Sequence, residues 1–241
     1  MERNRGESRQ GLGVHRGATA VPDEPVAAEN GRGAVVEFSV PLDQSSMVQD
    51  LKSFRLPAGF RGRSAIYVQL WWLVQATLFR WSPQLAYEWR CQLLRLFGAK
   101  IGRGVKIRPS VNVTYPWKLT IGDWSWVGDS ATLYTLGEIV IGDNACVSQH
   151  SYICAASHDY NSPNFDIFSK RVDIESEAWV SSGVFVSPGV RIGRGAVVGA
   201  RSLVLNDLPA MMLCAGHPAK PIRPRAGERP GAPATSPLSR E

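Results

Sequence analysis

The sequence predicts a mainly β protein, a parallel β-helix of about five coils preceded by a helical segment. Two observations carry this reading. The first is a six-residue period. Apolar residues recur as Ile101, Ile107, Val113 and Leu119, and then as Ile121, Val127, Leu133 and Ile139. The series continues at Ile141, Val147 and Ile153, and runs again from Ile174 through Val180, Val186, Ile192 and Val198 to Val204. Neither a helix nor a free strand has that period. A coil with three short flat faces does, because each face takes about six residues and turns one side chain inward.

The second observation is what surrounds the inward residues. Small residues sit four places later, as Ser125, Ala131, Ala145, Ser151, Ala178, Ala196 and Ser202. Glycine often follows directly, as Gly102, Gly122, Gly128, Gly142, Gly193 and Gly199. These glycines are expected at corners whose backbone suits little else. Coil starts at Ile101, Ile121, Ile141, Ile174 and Ile192 give five coils, the third carrying an inserted loop over residues 159–173.

Residues 46–100 precede the coils. The run "SAIYVQLWWLVQATLF", Ser64 to Phe79, is apolar and predicts a helix ending before Pro83. A second helix is expected from about Pro83 to Phe97. Interrupted by Gln69 and Gln75, the first is short for a bilayer crossing. One reading is a cap over the open end of the first coil, whose apolar interior and backbone edges need covering. The other is peripheral contact with an anionic membrane, with Trp71 and Trp72 at the interface and Arg61, Arg63 and Arg80 nearby. The two can coexist.

The net charge of +6 is unevenly spread over the 241 residues. Residues 50–108 hold eleven Lys/Arg against Asp50 and Glu88, whereas 109–209 hold six against ten Asp/Glu. The basic excess therefore belongs to the segment ahead of the repeats and to the first coil. Cys91, Cys146, Cys154 and Cys214 show no paired metal spacing, so no metal site is expected and a reduced, cytoplasmic setting fits best. Residues 1–45 have few large apolar groups and are expected to be disordered. They contain no apolar signal core. The Pro/Gly/Ser-rich stretch 226–241 reads as a flexible tail.

The main departure from the period is "CAASHDYNSPNFDIFSKRVD", between Ile153 and Ile174. Long excursions from a solenoid tend to carry function. This one begins with His158 and Asp159. A lone histidine at a loop start is more often a polar surface residue, so the case rests on what stands around it.

Three stretches carry a resemblance, "FRLPAGFRGRS", "YPWKLTIGD" and "SHDYNSPNF". Over roughly residues 50–225 the chain resembles the hexapeptide-repeat acyltransferases, and within them the WcaF-like branch assigned to colanic acid biosynthesis. The resemblance implies a left-handed coil, a homotrimer with active sites between subunits, and acetyl-CoA as acyl donor. It implies His158 as general base, the amide of Ser182 facing the thioester, and Trp179 lining the cofactor cleft. Ala200 corresponds to a contact with the pantetheine arm. Gly216, Pro218, Ala219 and Lys220 match a G-x-P-A-K turn whose lysine meets the coenzyme A phosphates. The family commonly has a Thr-Lys pair after the last hexad, and here Leu205 and Asn206 stand instead.

The chemistry fits those residue types. A thioester is already activated, so transfer to a hydroxyl needs a base near neutrality and donors for the oxyanion. Asp159 could orient the imidazole, as could a backbone carbonyl. The expected activity is O-acetylation of a saccharide such as a cell-surface polysaccharide unit. Serine or another small molecule is the alternative acceptor, and no nucleic-acid partner is expected. A γ-class carbonic anhydrase needs three histidine ligands, and the repeats hold only His150 and His158. A nucleotidyltransferase needs a Gly-rich nucleotide-binding domain ahead of the repeats, and none is visible. A non-catalytic scaffold would have no reason to keep His158, its loop and the G-x-P-A-K turn together.

Overall fold

A computed structural model describes residues 48–225. The arm at 1–45 and the tail at 226–241 lie outside the described residues. Each six-residue unit makes a two- or three-residue strand, and every third strand falls on the same face. The first face stacks Ile101, Ile121, Ile141, Ile174 and Ile192 in parallel register. The second stacks Ile107, Val127, Val147, Val180, Val198 and Cys214. The third stacks Val113, Leu133, Ile153, Val186 and Val204. Five coils are complete, and a sixth begins where Leu208 bridges to Ile192.

All of these inward side chains except Ile101 are buried, as are the small residues four places on. The core is thus a column of β-branched and leucine side chains whose neighbouring corners are filled by Ala and Ser. Ser125 shows why serine is tolerated there. Its Oγ donates to the Gly142 carbonyl at 2.6 Å and accepts from the Ala145 amide at 2.9 Å, so nothing polar is left unpaired.

The hexad glycines do not supply left-handed corners. That conformation is taken by Trp124, Ser130, Asn144, His150, Glu177 and Arg201, at φ between 53° and 65°. Gly122 and Gly142 are fixed by close approach instead. A Cβ on Gly142 would stand 2.4 Å from the Ser176 amide nitrogen, and one on Gly122 would stand 2.3 Å from Asp143 Oδ1. Coils stacked at strand spacing, about 4.8 Å apart, leave no room for it.

The segment ahead of the repeats forms α1 (Ala65–Val74), a π-turn over Gln75–Phe79 and α2 (Tyr87–Leu96). Ser64 caps α1 by accepting from the Tyr67 amide at 3.3 Å. Among the described residues no strand precedes the first coil, and side chains from this segment take up its free edge on all three faces. Arg95 donates from Nε to Ile101 O at 3.1 Å, Arg90 to Ile107 O at 2.6 Å, and Trp71 Nε1 to Val113 O at 2.7 Å. Gln75 Oε1 accepts from the Val113 amide at 2.7 Å. Side chains of this segment thus occupy the open edge of the first coil. Trp71, expected at a membrane surface, is fully buried, with its ring against Phe79 and Phe97. An indole with an internal acceptor and aromatic neighbours gains more there than in solvent.

Candidate active site

The inserted segment is a hairpin. Ala156–His158 pairs antiparallel with Ile167–Ser169, leaving the corner between the third and first faces. His158 ends the first arm, half-buried. Its Nδ1 lies 2.7 Å from Phe165 O. A carbonyl can only accept, so Nδ1 carries a proton and, in the neutral ring, Nε2 is the nitrogen with the lone pair. The Phe165 ring stacks on the imidazole with centroids 4.0 Å apart, and Phe54 stands against it at 5.6 Å.

Asp159 faces elsewhere. Its Oδ1 accepts from the Asn161 amide at 2.9 Å, closing a turn of the hairpin tip. Of the two orienting groups open from sequence, the carbonyl is the one in contact. The tip is pinned by residues ahead of α1. The Asp50 amide donates to Pro163 O at 2.8 Å and Ser53 Oγ to Asn164 Oδ1 at 2.9 Å. Neither Phe54 nor Phe165 was legible as a site residue, because Phe54 meets His158 across the fold and only the hairpin's turn brings Phe165 back onto the ring.

The residues matched to the cofactor surface gather along a different corner, between the second and third faces. Ser182 and Ala200 occupy it in successive coils, and the Arg201 amide donates to Ser182 O at 2.8 Å. Among the described residues nothing accepts from the Ser182 or Ala200 N–H. Both amides are therefore free to donate outward. Trp179, on the adjoining second face, is 46% exposed, and its Nε1 donates to Ser148 Oγ at 2.9 Å, fixing the ring.

The chain then closes the solenoid with a second hairpin, Met212–Gly216 against Ala219–Pro224. Its tip holds the G-x-P-A-K residues, with Gly216 at φ 112°, a backbone that favours glycine. Ser202 ties this tip to the corner. Its Oγ donates to Gly199 O at 2.7 Å and accepts from the Gly216 amide at 3.2 Å. Ser182, Ala200 and the tip thus run along one edge in three successive layers, while Lys220 stands exposed just past the turn. From sequence Ser202 was read only as a small corner filler, and Ser148 was not singled out.

One chain does not bring the two groups together. His158 projects from one edge of the triangular prism, and the amides and Lys220 follow another, with the third face between them. His150 is an exposed left-handed corner residue away from His158's hairpin. Among the described residues no cluster of His, Cys, Asp or Glu could hold a metal ion.

No protein-family model matches the chain. It is 59% identical over 178 residues to the "Putative colanic acid biosynthesis acetyltransferase WcaF" of Escherichia coli K12, covering 74% of this chain and 98% of that one. It is 28% identical over 148 residues to the galactoside O-acetyltransferase of the same organism, covering 60% and 73%. Among solved structures, the hexapeptide-repeat acetyltransferase VCA0836 of Vibrio cholerae with acetyl coenzyme A superposes with a TM-score of 0.63 at 23% identity, covering 73% and 96%. A galactoside acetyltransferase in complex with coenzyme A gives 0.56 at 21%, covering 75% and 92%. These neighbours share the left-handed parallel β-helix. With 59% identity over 178 aligned residues that span nearly the whole of its relative, the chain belongs to the WcaF-like branch of the hexapeptide-repeat acetyltransferases.

Proposed function

We propose that the protein transfers the acetyl group of acetyl-CoA to a saccharide hydroxyl during assembly of a cell-surface polysaccharide, with His158 as general base. The observation that carries this reading is the bond from Nδ1–H to Phe165 O, which leaves Nε2 basic. Nε2 takes the hydroxyl proton as that oxygen attacks the thioester carbonyl. The Ser182 amide stabilises the resulting oxyanion. Collapse expels the coenzyme A sulfur, which takes the proton back from the imidazolium. Asp159 acts on the hairpin turn rather than on the ring. Trp179 walls the cleft, Ala200 meets the pantetheine arm, and Lys220 meets phosphate from the tip formed by Gly216, Pro218 and Ala219.

The separation of the two edges supports a homotrimer in which the base of one subunit serves the cofactor edge of the next. The saccharide class is supported by the relatives' named roles in colanic acid biosynthesis and galactoside acetylation. The four free thiols and the acyl donor suit a cytoplasmic reaction. Release of free coenzyme A thiol from acetyl-CoA, followed against a panel of mono- and oligosaccharides and serine, tests the reading. Turnover with a saccharide and not with serine is expected. Turnover with serine alone would overturn the saccharide assignment.

A further inference from the structure

The segment that caps the solenoid is apolar on two sides, and a cap needs only one. Toward the first coil it buries Val68, Trp71 and Phe79. On the outside, Ile66, Leu70, Leu73, Leu78, Trp81 and Leu85 form an exposed strip along α1, the π-turn and the link to α2. Trp81 and Leu85 are 82% and 85% exposed, and large apolar residues exposed together along one segment, unlike scattered single ones, mark an interaction surface.

The charge around the strip is one-sided. From Leu51 to Tyr87 there is no Asp or Glu, whereas Arg63 and Arg80 stand exposed at its two ends. At helical rise those two cations are roughly 25 Å apart along the element. No helix among the described residues is long and apolar enough to cross a membrane. A short apolar face with cations at both ends and a tryptophan at its margin is the composition that lies in a bilayer surface.

We propose that this outer face docks the protein on an anionic bilayer, lying in the plane of the headgroups. The first coil faces the membrane through its cap, and the arginines meet lipid phosphates. No residue of the strip belongs to the proposed active site, so docking stands or falls separately from acetyl transfer.

Co-sedimentation of the full chain with phosphatidylcholine vesicles containing about one third phosphatidylglycerol tests it, against pure phosphatidylcholine. Wild-type protein should pellet with the anionic vesicles at low salt and be released at high salt. Trp81→Ser with Leu85→Ser should lower partitioning at least about tenfold, since two large apolar contacts are lost. Arg63→Gln with Arg80→Gln should lower it more than about tenfold, each cation being worth about fivefold. Both variants should keep wild-type circular dichroism and acetyl transfer to a soluble acceptor, because neither pair is in the core or the site. Protein that stays in the supernatant at low salt would overturn the proposal. So would an apolar variant that binds vesicles as well as wild type, or one that changes only the oligomeric mass and so assigns the strip to a second copy.

Discussion

The guanidinium of Arg90 donates from Nε to the carbonyl of Ile107 at 2.6 Å, closing the edge of the second face from inside the cap. Its Nη atoms reach Ser82 Oγ, Pro83 O and Gln84 O, each at 2.8 Å, and the Tyr87 ring lies 5.1 Å from the cation. Burial pulls its pKa down, and the surrounding acceptors are what make a buried cation tolerable. Arg90→Met should therefore leave the Ile107 carbonyl and three link acceptors short of a donor. A loss of about 2–4 kcal/mol in urea unfolding is expected. Gln substituted at the exposed Arg103 should change stability by less than about 1 kcal/mol. Equal effects at the two sites would remove the capping role.

Close stacking of the coils makes a second prediction. Gly142→Ala puts a Cβ against the backbone of Ser176, which cannot move without breaking the first face. The change should destabilise by more than about 2 kcal/mol, read as a drop in Tm. An unchanged Tm would mean the coils have slack that the glycines do not need.

His158→Ala should leave the fold intact, because the ring sits on a hairpin outside the core column. Turnover should fall by about two to four orders of magnitude, in kcat more than in KM for acetyl-CoA. Lys220→Ala should do the reverse, raising that KM with kcat nearly unchanged. A folded His158→Ala enzyme with near-normal turnover would sink the proposed base.

If the base and the cofactor edge come from different subunits, two inactive variants should complement each other. His158→Ala mixed with Ala200→Trp and reassembled should recover about a quarter of wild-type activity, the share of sites drawing both intact halves. Mixing that restores nothing, although light scattering shows exchanged trimers, would place both halves in one chain.

Alkaline pH offers a further test. Burial pushes the Cys91 thiol up to about 11 and the Tyr152 hydroxyl up to about 12. Groups raised in the fold stabilise fully below their unfolded pKa and lose that contribution as pH rises through the folded value. Tm should thus be flat from pH 7 to about 8.5 and then fall toward about pH 12, Cys91 acting up to about pH 11 and Tyr152 from about pH 10 upward. Tyr152→Phe should shallow the fall by removing one ionising group. A variant with the same alkaline slope as wild type would contradict it.

The hexad column was readable because period is a one-dimensional property. Which residues turn inward follows from spacing along the chain, and Ile141, Val147 and Ile153 lie where their positions require. The helix opening near Ser64 was legible from its apolar run for the same local reason. The role of Trp71 was not. A tryptophan in an apolar helix reads alike whether it faces lipid or a coil end, and only the bond to Val113 O, 42 residues away, decides between them.

The sequence by itself determined the solenoid, its inserted segment and the residue types of acyl-transfer chemistry, because each is fixed by neighbours in the chain. Only the tertiary structure decided that the His158 imidazole is held by Phe165 O and that Asp159 serves a turn. It alone stacked Ser182, Ala200 and the Gly216 turn along one edge and put His158 on another. The reason is physical. Hydrogen bonds that set a tautomer or aim an amide depend on angles and on partners brought close by folding, and no period in the chain encodes those directions.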